Sequence, residues 1–167
     1  MLKSKFPLKI LAIVPGSRYL GIAIFYGADL RDWRIKDIRE KKMASRIKKT
    51  QEILSRFISQ YHPQILAIKK LNPVRSSANL KNLAKRIIGF ARRKKLDVYQ
   101  CTLDEVKSSL APGEHINKKC LFKKATSLYP VLSSDFEKEQ KNKNAYYLRE
   151  LEAVTFGSNC FYKLDKH

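Results

Sequence analysis

Apolar and polar positions alternate in two regimes along the chain: short apolar runs come first, long amphipathic stretches later. Residues 8–14, 20–26 and 31–38 are rich in strand-forming side chains and are separated by the turn-like segments PGSRYL and GADL. Connections this short predict an antiparallel meander. From 43 to 61 the apolar period lengthens to that of a helix. Ile47, Ile53, Leu54, Phe57, Ile58 and Tyr61 fall on one side, lysines and arginines on the other, and His62-Pro63 ends the stretch. Residues 64–69, QILAIK, are almost continuously apolar, as in a strand buried on both faces. The loop LNPVRSSAN leads to a second amphipathic helix over about 78–95, with Leu80, Leu83, Ala84, Ile87, Ile88 and Ala91 inward. A fifth strand is predicted at 96–101. Helices follow near 103–110, 117–128, 133–143 and 145–162, with the loop APGEHIN after the first of them. The charged tract EKEQKNKN at 137–144 suits a helix or a mobile loop.

Three meandering strands, then two strands each reached through a helix, imply an α/β domain. Its core is a mixed five-stranded sheet with helices on both faces. The 167 residues suffice for one such domain, read as spanning 1–167, without repeats or linkers. No apolar run approaches the ~20 residues of a membrane span, and the basic start MLKSKFPLKILAIV reads as a first strand, not a signal peptide. Cys101, Cys120 and Cys160 are scattered and lack CxxC spacing, which argues against zinc or a disulfide framework and fits the cytoplasm. His62, His115 and His167 show no metal-ligand spacing.

Charge narrows the partner. Lys and Arg number 35 against 15 Asp and Glu, a formal net charge of +20. Such an excess repels itself in the free protein and suits a polyanion, most simply nucleic acid. Lys41, Lys42, Arg46, Lys48 and Lys49 cluster at the start of one helix, and Arg92 to Lys95 close another. The candidates for nucleic-acid contact are Arg18, Lys69, Lys70, Arg75, Lys81, Lys85, Arg86, Arg92, Arg93, Lys118, Lys119 and Lys123. Each basic run is also what a solvated helix face looks like. Tyr19 and Trp33 could stack on bases, although a half-buried place in the sheet is the simpler reading.

Three stretches carry a resemblance. Val14-Pro15-Gly16-Ser17-Arg18-Tyr19-Leu20-Gly21 matches Asp-Pro-Gly-x-x-x-x-Gly except at its first position. Leu66-Ala67-Ile68-Lys69-Lys70 closes the fourth strand, and Tyr147 to Val154 lies in the last helix. Together with the element order they resemble the ribonuclease H-like fold, within it most of all the RuvC-type Holliday-junction resolvases. The resemblance implies strand order 3-2-1-4-5 with the second strand antiparallel to the rest. It also implies a site with an aspartate at position 14, a glutamate ending the fourth strand, and two acids three residues apart on the last helix. Here Val14, Lys69 (or Lys70), Tyr147 and Glu150 fall on those positions, with Glu152 as a further acid. Glu150 and Glu152, two residues apart on a helix, point about 200° from each other, so only one of them can face the site.

Those departures bear on the chemistry. Two-metal phosphodiester hydrolysis uses carboxylates to hold two divalent ions about 3.5–4 Å apart, and magnesium prefers oxygen ligands. Valine supplies none. A lysine at roughly 4 Å from a unit positive charge, at an effective dielectric near 20, adds about 4 kcal/mol of repulsion, and a divalent ion about doubles it. The sequence therefore reads as a catalytically inactive, nucleic-acid-binding relative of the resolvases that uses no cofactor. Lys69 is expected to stand in for a metal beside Val14 and one of the two glutamates. Branched DNA or structured RNA is the expected partner, and a homodimer is what the resemblance implies. One alternative is an active, structure-selective endonuclease. It would use Mg2+ or Mn2+ at a rearranged site of Glu150 or Glu152 with acids such as Asp29, Asp32 or Asp104. Another is a basic structural subunit of a larger assembly. A nucleotide-binding module of the sugar-kinase kind would need two such domains.

Overall fold

The computed structural model describes residues 7–110, 113, 117–142 and 145–165. Strands β1 (Lys9–Val14), β2 (Tyr19–Tyr26), β3 (Asp29–Asp37), β4 (Ile65–Lys69) and β5 (Asp97–Cys101) form one sheet in the order β3-β2-β1-β4-β5. β2 pairs antiparallel with both β1 and β3, whereas β1, β4 and β5 run parallel, so β2 alone opposes the rest. The helices are α1 (Met43–Tyr61), α2 (Ala78–Arg93), α3 (Leu103–Leu110), α4 (Lys118–Leu128), α5 (Ser133–Asn142) and α6 (Ala145–Asp165).

Strand side chains alternate between faces, and β1, β2 and β4 are apolar on both. Leu11, Ile13, Ile22, Ile24, Leu66 and Ile68 pack under Ile53, Leu54 and Phe57 of α1 and Leu83, Ile87 and Ala91 of α2. On the other face Ile10, Ala12, Val14, Ala23, Phe25 and Ala67 meet Val106 of α3, Leu121 and Phe122 of α4, and Leu151, Val154 and Phe156 of α6. The α6 face is lined by smaller residues than the α1–α2 face, and α6 uses the space. A Cβ at Gly157 would lie 2.2 Å from the Phe25 ring and 2.9 Å from the Ala12 Cβ. One at Gly21 would lie 1.9 Å from the Arg149 carbonyl oxygen.

Turn geometry does not require the glycine at 21, since its φ is not positive. Gly21 is a glycine because the α6 backbone rests on it. At Gly16 a Cβ would meet the Tyr19 carbonyl oxygen of the β1–β2 turn at 2.6 Å and the Arg149 guanidinium Nε at 2.8 Å. Gly27, between β2 and β3, is a glycine for its backbone conformation, at φ 59°. That turn is tighter than the sequence suggests, with Tyr26 paired directly to Asp29, so β3 begins at 29 and not 31. α2 stops at Arg93, short of the expected 95, because Lys95 turns left-handed at φ 66° and the Leu96 N–H returns to the Ala91 carbonyl. His62 closes α1 in the left-handed conformation, its N–H on the Ile58 carbonyl. The loop 111–117 lies largely outside the described residues, and His115 and His167 are outside them. Among the described residues no helix is long and apolar enough to cross a membrane.

One residue of the basic run at the start of α1 is structural. Arg46 donates through Nη1 to the Ile38 and Glu40 carbonyls at 3.1 and 3.3 Å, and through Nη2 to the Ser17 carbonyl. It ties the β1–β2 turn to the β3–α1 connection. Arg46→Ala should therefore lower stability in urea unfolding by about 1–2 kcal/mol, whereas exposed Lys48→Ala should change it by less than about 0.5 kcal/mol. Equal effects would remove this distinction.

Candidate functional site

β1 and β4 are neighbours, and both end at the same edge of the sheet. Their register pairs Ile13 with Ile68, which puts Val14 and Lys69 on the next rung. Val14 is fully buried in the layer beneath α6. Alternation sends Lys69 to that same face, where its Nζ donates to Glu152 Oε2 at 2.7 Å. The other oxygen, Oε1, accepts from Arg149 Nη1 at 2.9 Å, one turn earlier on α6. The Glu152 side chain is fully buried, whereas those of Lys69 and Arg149 keep 17% and 22% of their surface. The carboxylate is thus the floor of the site and two cations form its rim. Lys118, at the N-terminus of α4, belongs to the same neighbourhood. Burial lowers its pKa most; Glu152 acts against that, and the charges of Lys69, Arg149 and Lys107 add to it.

Four side chains therefore meet at the end of the sheet: Val14, Lys69, Arg149 and Glu152. Tyr147 and Glu150, which the sequence resemblance aligns with the helix positions, face elsewhere. The pair three residues apart that reaches the sheet edge is Arg149 and Glu152, two places further along. Tyr147 instead lies with its ring 5.7 Å from the Lys138 ammonium of α5. Glu150 turns toward Asp135 of α5, whose Oδ2 accepts from Trp33 Nε1 at 3.2 Å. Trp33 is accordingly a half-buried anchor of the sheet. Residues 150–160 are buried throughout, so α6 has no polar stripe that would fix its rotation from sequence. That is why Arg149 was missed. Its signal was indirect: a helix resting on Gly21 and Gly16 presents the residue at that contact.

This donor set does not fit a divalent-metal centre. Among the described residues one carboxylate is present, both of its oxygens are engaged by cations, and the remaining groups are an alkyl chain, an ammonium and a guanidinium. Among the described residues no three His, Cys, Asp or Glu side chains are grouped as metal ligands. The acids of the rearranged alternative are dispersed. Asp29 lies 3.8 Å from Arg31, and Asp32 accepts from Arg34 and from the Tyr61 hydroxyl on the α1 side of the sheet. Asp104 lies in the first turn of α3.

Glu150 carries the largest electrostatic strain near the site. Burial, then the neighbouring Asp135 carboxyl, push its pKa up to about 8 from its ordinary 4.5, and among the described residues its Oε2 has no hydrogen-bond partner. Between those values the folded chain holds a proton that the unfolded chain has lost. Stability should therefore fall as pH rises from about 4.5 to about 8, and level off above. Glu150→Gln should flatten that slope in urea titrations at several pH values; an unchanged slope would mean that Glu150 does not cause it.

Among the candidate nucleic-acid contacts, Arg18 forms a two-pronged pair with Asp37, at 2.9 and 3.1 Å, while its side chain stays more than half exposed. Lys70, Arg75, Lys85, Arg86, Arg92, Arg93, Lys119 and Lys123 are exposed, and Lys81 is half-buried with its Nζ on the Pro73 carbonyl. The structure does not gather them into one patch. Those of α2 lie across the sheet from those of α4, with Lys69 and Lys118 on the α4 side.

Strand order, the single reversed strand and helices on both faces define the ribonuclease H-like fold. Within that class the chain is structurally similar to RuvC and other Holliday-junction resolvases. T. thermophilus RuvC in complex with Holliday junction substrate superposes with a TM-score of 0.72 at 14% identity, over 95% of this chain and 96% of that one. The yeast mitochondrial Holliday junction resolvase Ydc2 gives 0.63 at 8% identity, over 99% and 84%. The Fowlpox virus resolvase, in complex with Holliday junction DNA, gives 0.57 at 16%, over 92% and 99%. No protein-family model matches the chain, and no curated protein matches it in sequence.

Proposed function

We propose that this protein binds branched nucleic acid, DNA junctions or structured RNA, and does not cut it. The observation that carries the reading is the Lys69–Glu152–Arg149 cluster at the joint end of β1 and β4. Two fixed cations stand over one buried carboxylate, with Lys118 alongside, leaving net positive charge at the rim. A phosphate can dock there through charge-assisted hydrogen bonds from the ammonium and guanidinium. Neither group lowers the pKa of a bound water or holds a nucleophile in line, which is what a metal supplies in hydrolysis. The site thus offers electrostatic capture without a means of attack. The net charge of +20 and the structural likeness to resolvases, two of them solved with Holliday junctions, support this reading.

The test is made on the wild-type chain. A labelled four-way junction, duplex and single strand are incubated in magnesium, manganese or EDTA, with metal binding followed by calorimetry. The expected result is a junction shift that EDTA does not alter, no metal binding tighter than about millimolar, and no cleavage. Metal-dependent cleavage abolished by Glu152→Gln would overturn the reading in favour of an active endonuclease. Absence of any shift at low salt would favour a basic subunit of a protein assembly.

A further inference from the structure

The segment from 70 to 96, which links β4 to β5 and contains α2, carries nine lysines and arginines and no aspartate or glutamate. Among the described residues none of the nine forms an ion pair. This contrasts with β3 and the β1–β2 turn, whose arginines are matched by Asp29, Asp32 and Asp37. α2 packs its apolar side, Leu83, Ile87 and Ala91, on the sheet and leaves Lys85, Arg86, Arg92 and Arg93 outward. At sequence separations of one, seven and eight from Lys85 these four share the solvent side of the helix. The helix is 16 residues long, about 24 Å. Its N-terminus follows Lys69 at the site end of the sheet, and Arg92 to Lys95 lie at the other end.

Gly89 sits in the middle of that cationic stripe. Among the described residues a Cβ there would meet only the Arg93 guanidinium, at 3.8 Å. No neighbour among the described residues requires a glycine at this position, and a mid-helix glycine lowers helix stability relative to alanine. What it provides is a flat spot between Lys85 and Arg93 where a partner's backbone can come close. A second copy of this chain would bring like charge onto like charge. Charge complementarity selects a polyanion with a continuous phosphate rail, which is a nucleic-acid duplex.

The site described above lies on the other face of the sheet, under α4 and α6, with Lys118 of α4 beside it. We infer that the α2 face is a second, sequence-independent duplex-binding surface, so that one molecule holds two nucleic-acid segments, one on each side of its sheet. The inference rests on the proposal that the chain binds nucleic acid.

The experiment uses the full chain and two DNA duplexes of unrelated sequence, one on beads and one labelled in solution. Binding of the bead duplex and protein-dependent capture of the labelled duplex are measured separately. Sedimentation gives the size of the free protein in the same buffer. The variant is Lys85→Gln, Arg86→Gln, Arg92→Gln and Arg93→Gln together, all exposed positions, with folding checked by circular dichroism. The wild type is expected to capture the second duplex. The variant should still bind the bead duplex, with less than about 10-fold loss and a salt slope changed by less than about 1, but capture at least about 10-fold less labelled duplex. Three results would overturn the inference: wild type that binds the bead duplex but captures nothing, a variant that captures as well as wild type, or capture that tracks a protein dimer lost in the variant. A variant that fails to bind even the bead duplex would leave α2 as the sole surface and would defeat the site-face reading as well. Wild type that binds no duplex or junction would remove the parent proposal.

Discussion

Raising salt from about 50 to about 200 mM should weaken junction binding by about 10²–10⁴-fold, because contact with about 5–8 phosphates gives a log–log slope between about −4 and −7. The range follows from where the cations are. Of the 35 lysines and arginines, Arg31, Arg34 and Arg39 are each paired with an acid of their own surface, and Arg46 is held by three carbonyls. These contribute little to counterion release. The unpaired groups of α2 and α4, with Lys118 and the net positive charge that Lys69 and Arg149 leave over their shared Glu152, are enough for a slope of this size. Affinity at low salt should be micromolar or tighter. Arg92→Glu with Arg93→Glu should weaken every sequence alike, since phosphate contacts carry no base information. A slope shallower than about −2, or a loss confined to one sequence, would show that the basic surface is not what binds.

The fold was legible where side-chain period and burial agree. Within QILAIK the four residues ILAI are buried on both faces, as the pattern suggests; β1 and β2 read for the same reason, and the strand–helix order fixed how they connect. The α1 and α2 stripes gave both helices because one side of each remains in water. α6 was legible as a helix but not in its rotation. It is the central helix of its layer, buried on all sides from 150 to 160, and a helix without a wet face has no period to read. The candidate site inherited that ambiguity: Val14 and Lys69 were placed by strand register, whereas Arg149 could be found only once α6 was seated on Gly21. The basic runs were visible as runs, but which side of the sheet each occupies is a matter of topology. Arg46 belonged to one of them by sequence and to the fold's hydrogen bonding by structure.

Glu152→Ala should destabilise the protein by about 3–5 kcal/mol, the scale for breaking a buried ion pair from one side. The carboxylate is fully buried and both its oxygens are occupied, so alanine leaves Lys69 and Arg149 facing each other without a counter-charge and Lys118 close by. Removing the cation and the acid together, as Lys69→Met with Glu152→Leu, should recover most of the loss, because an apolar pair of similar size avoids the desolvation of two ions. Recovery would still be partial, since Arg149 keeps its place over Gly16 and loses its partner. Urea unfolding of the two variants and wild type measures all three. A loss below about 1 kcal/mol for Glu152→Ala would mean that the cluster is solvated and not a fixed element of the fold. The same substitution separates the competing functions. In a capture site, deleting the one acid raises the positive charge at the rim, so folded Glu152→Ala should bind junctions at least as tightly as wild type while being less stable. In an enzyme that relies on Glu152 as a ligand, metal-dependent cleavage would vanish. Stability and affinity moving in opposite directions is the pattern that only the capture site predicts, and weaker junction binding by the folded variant would rule it out.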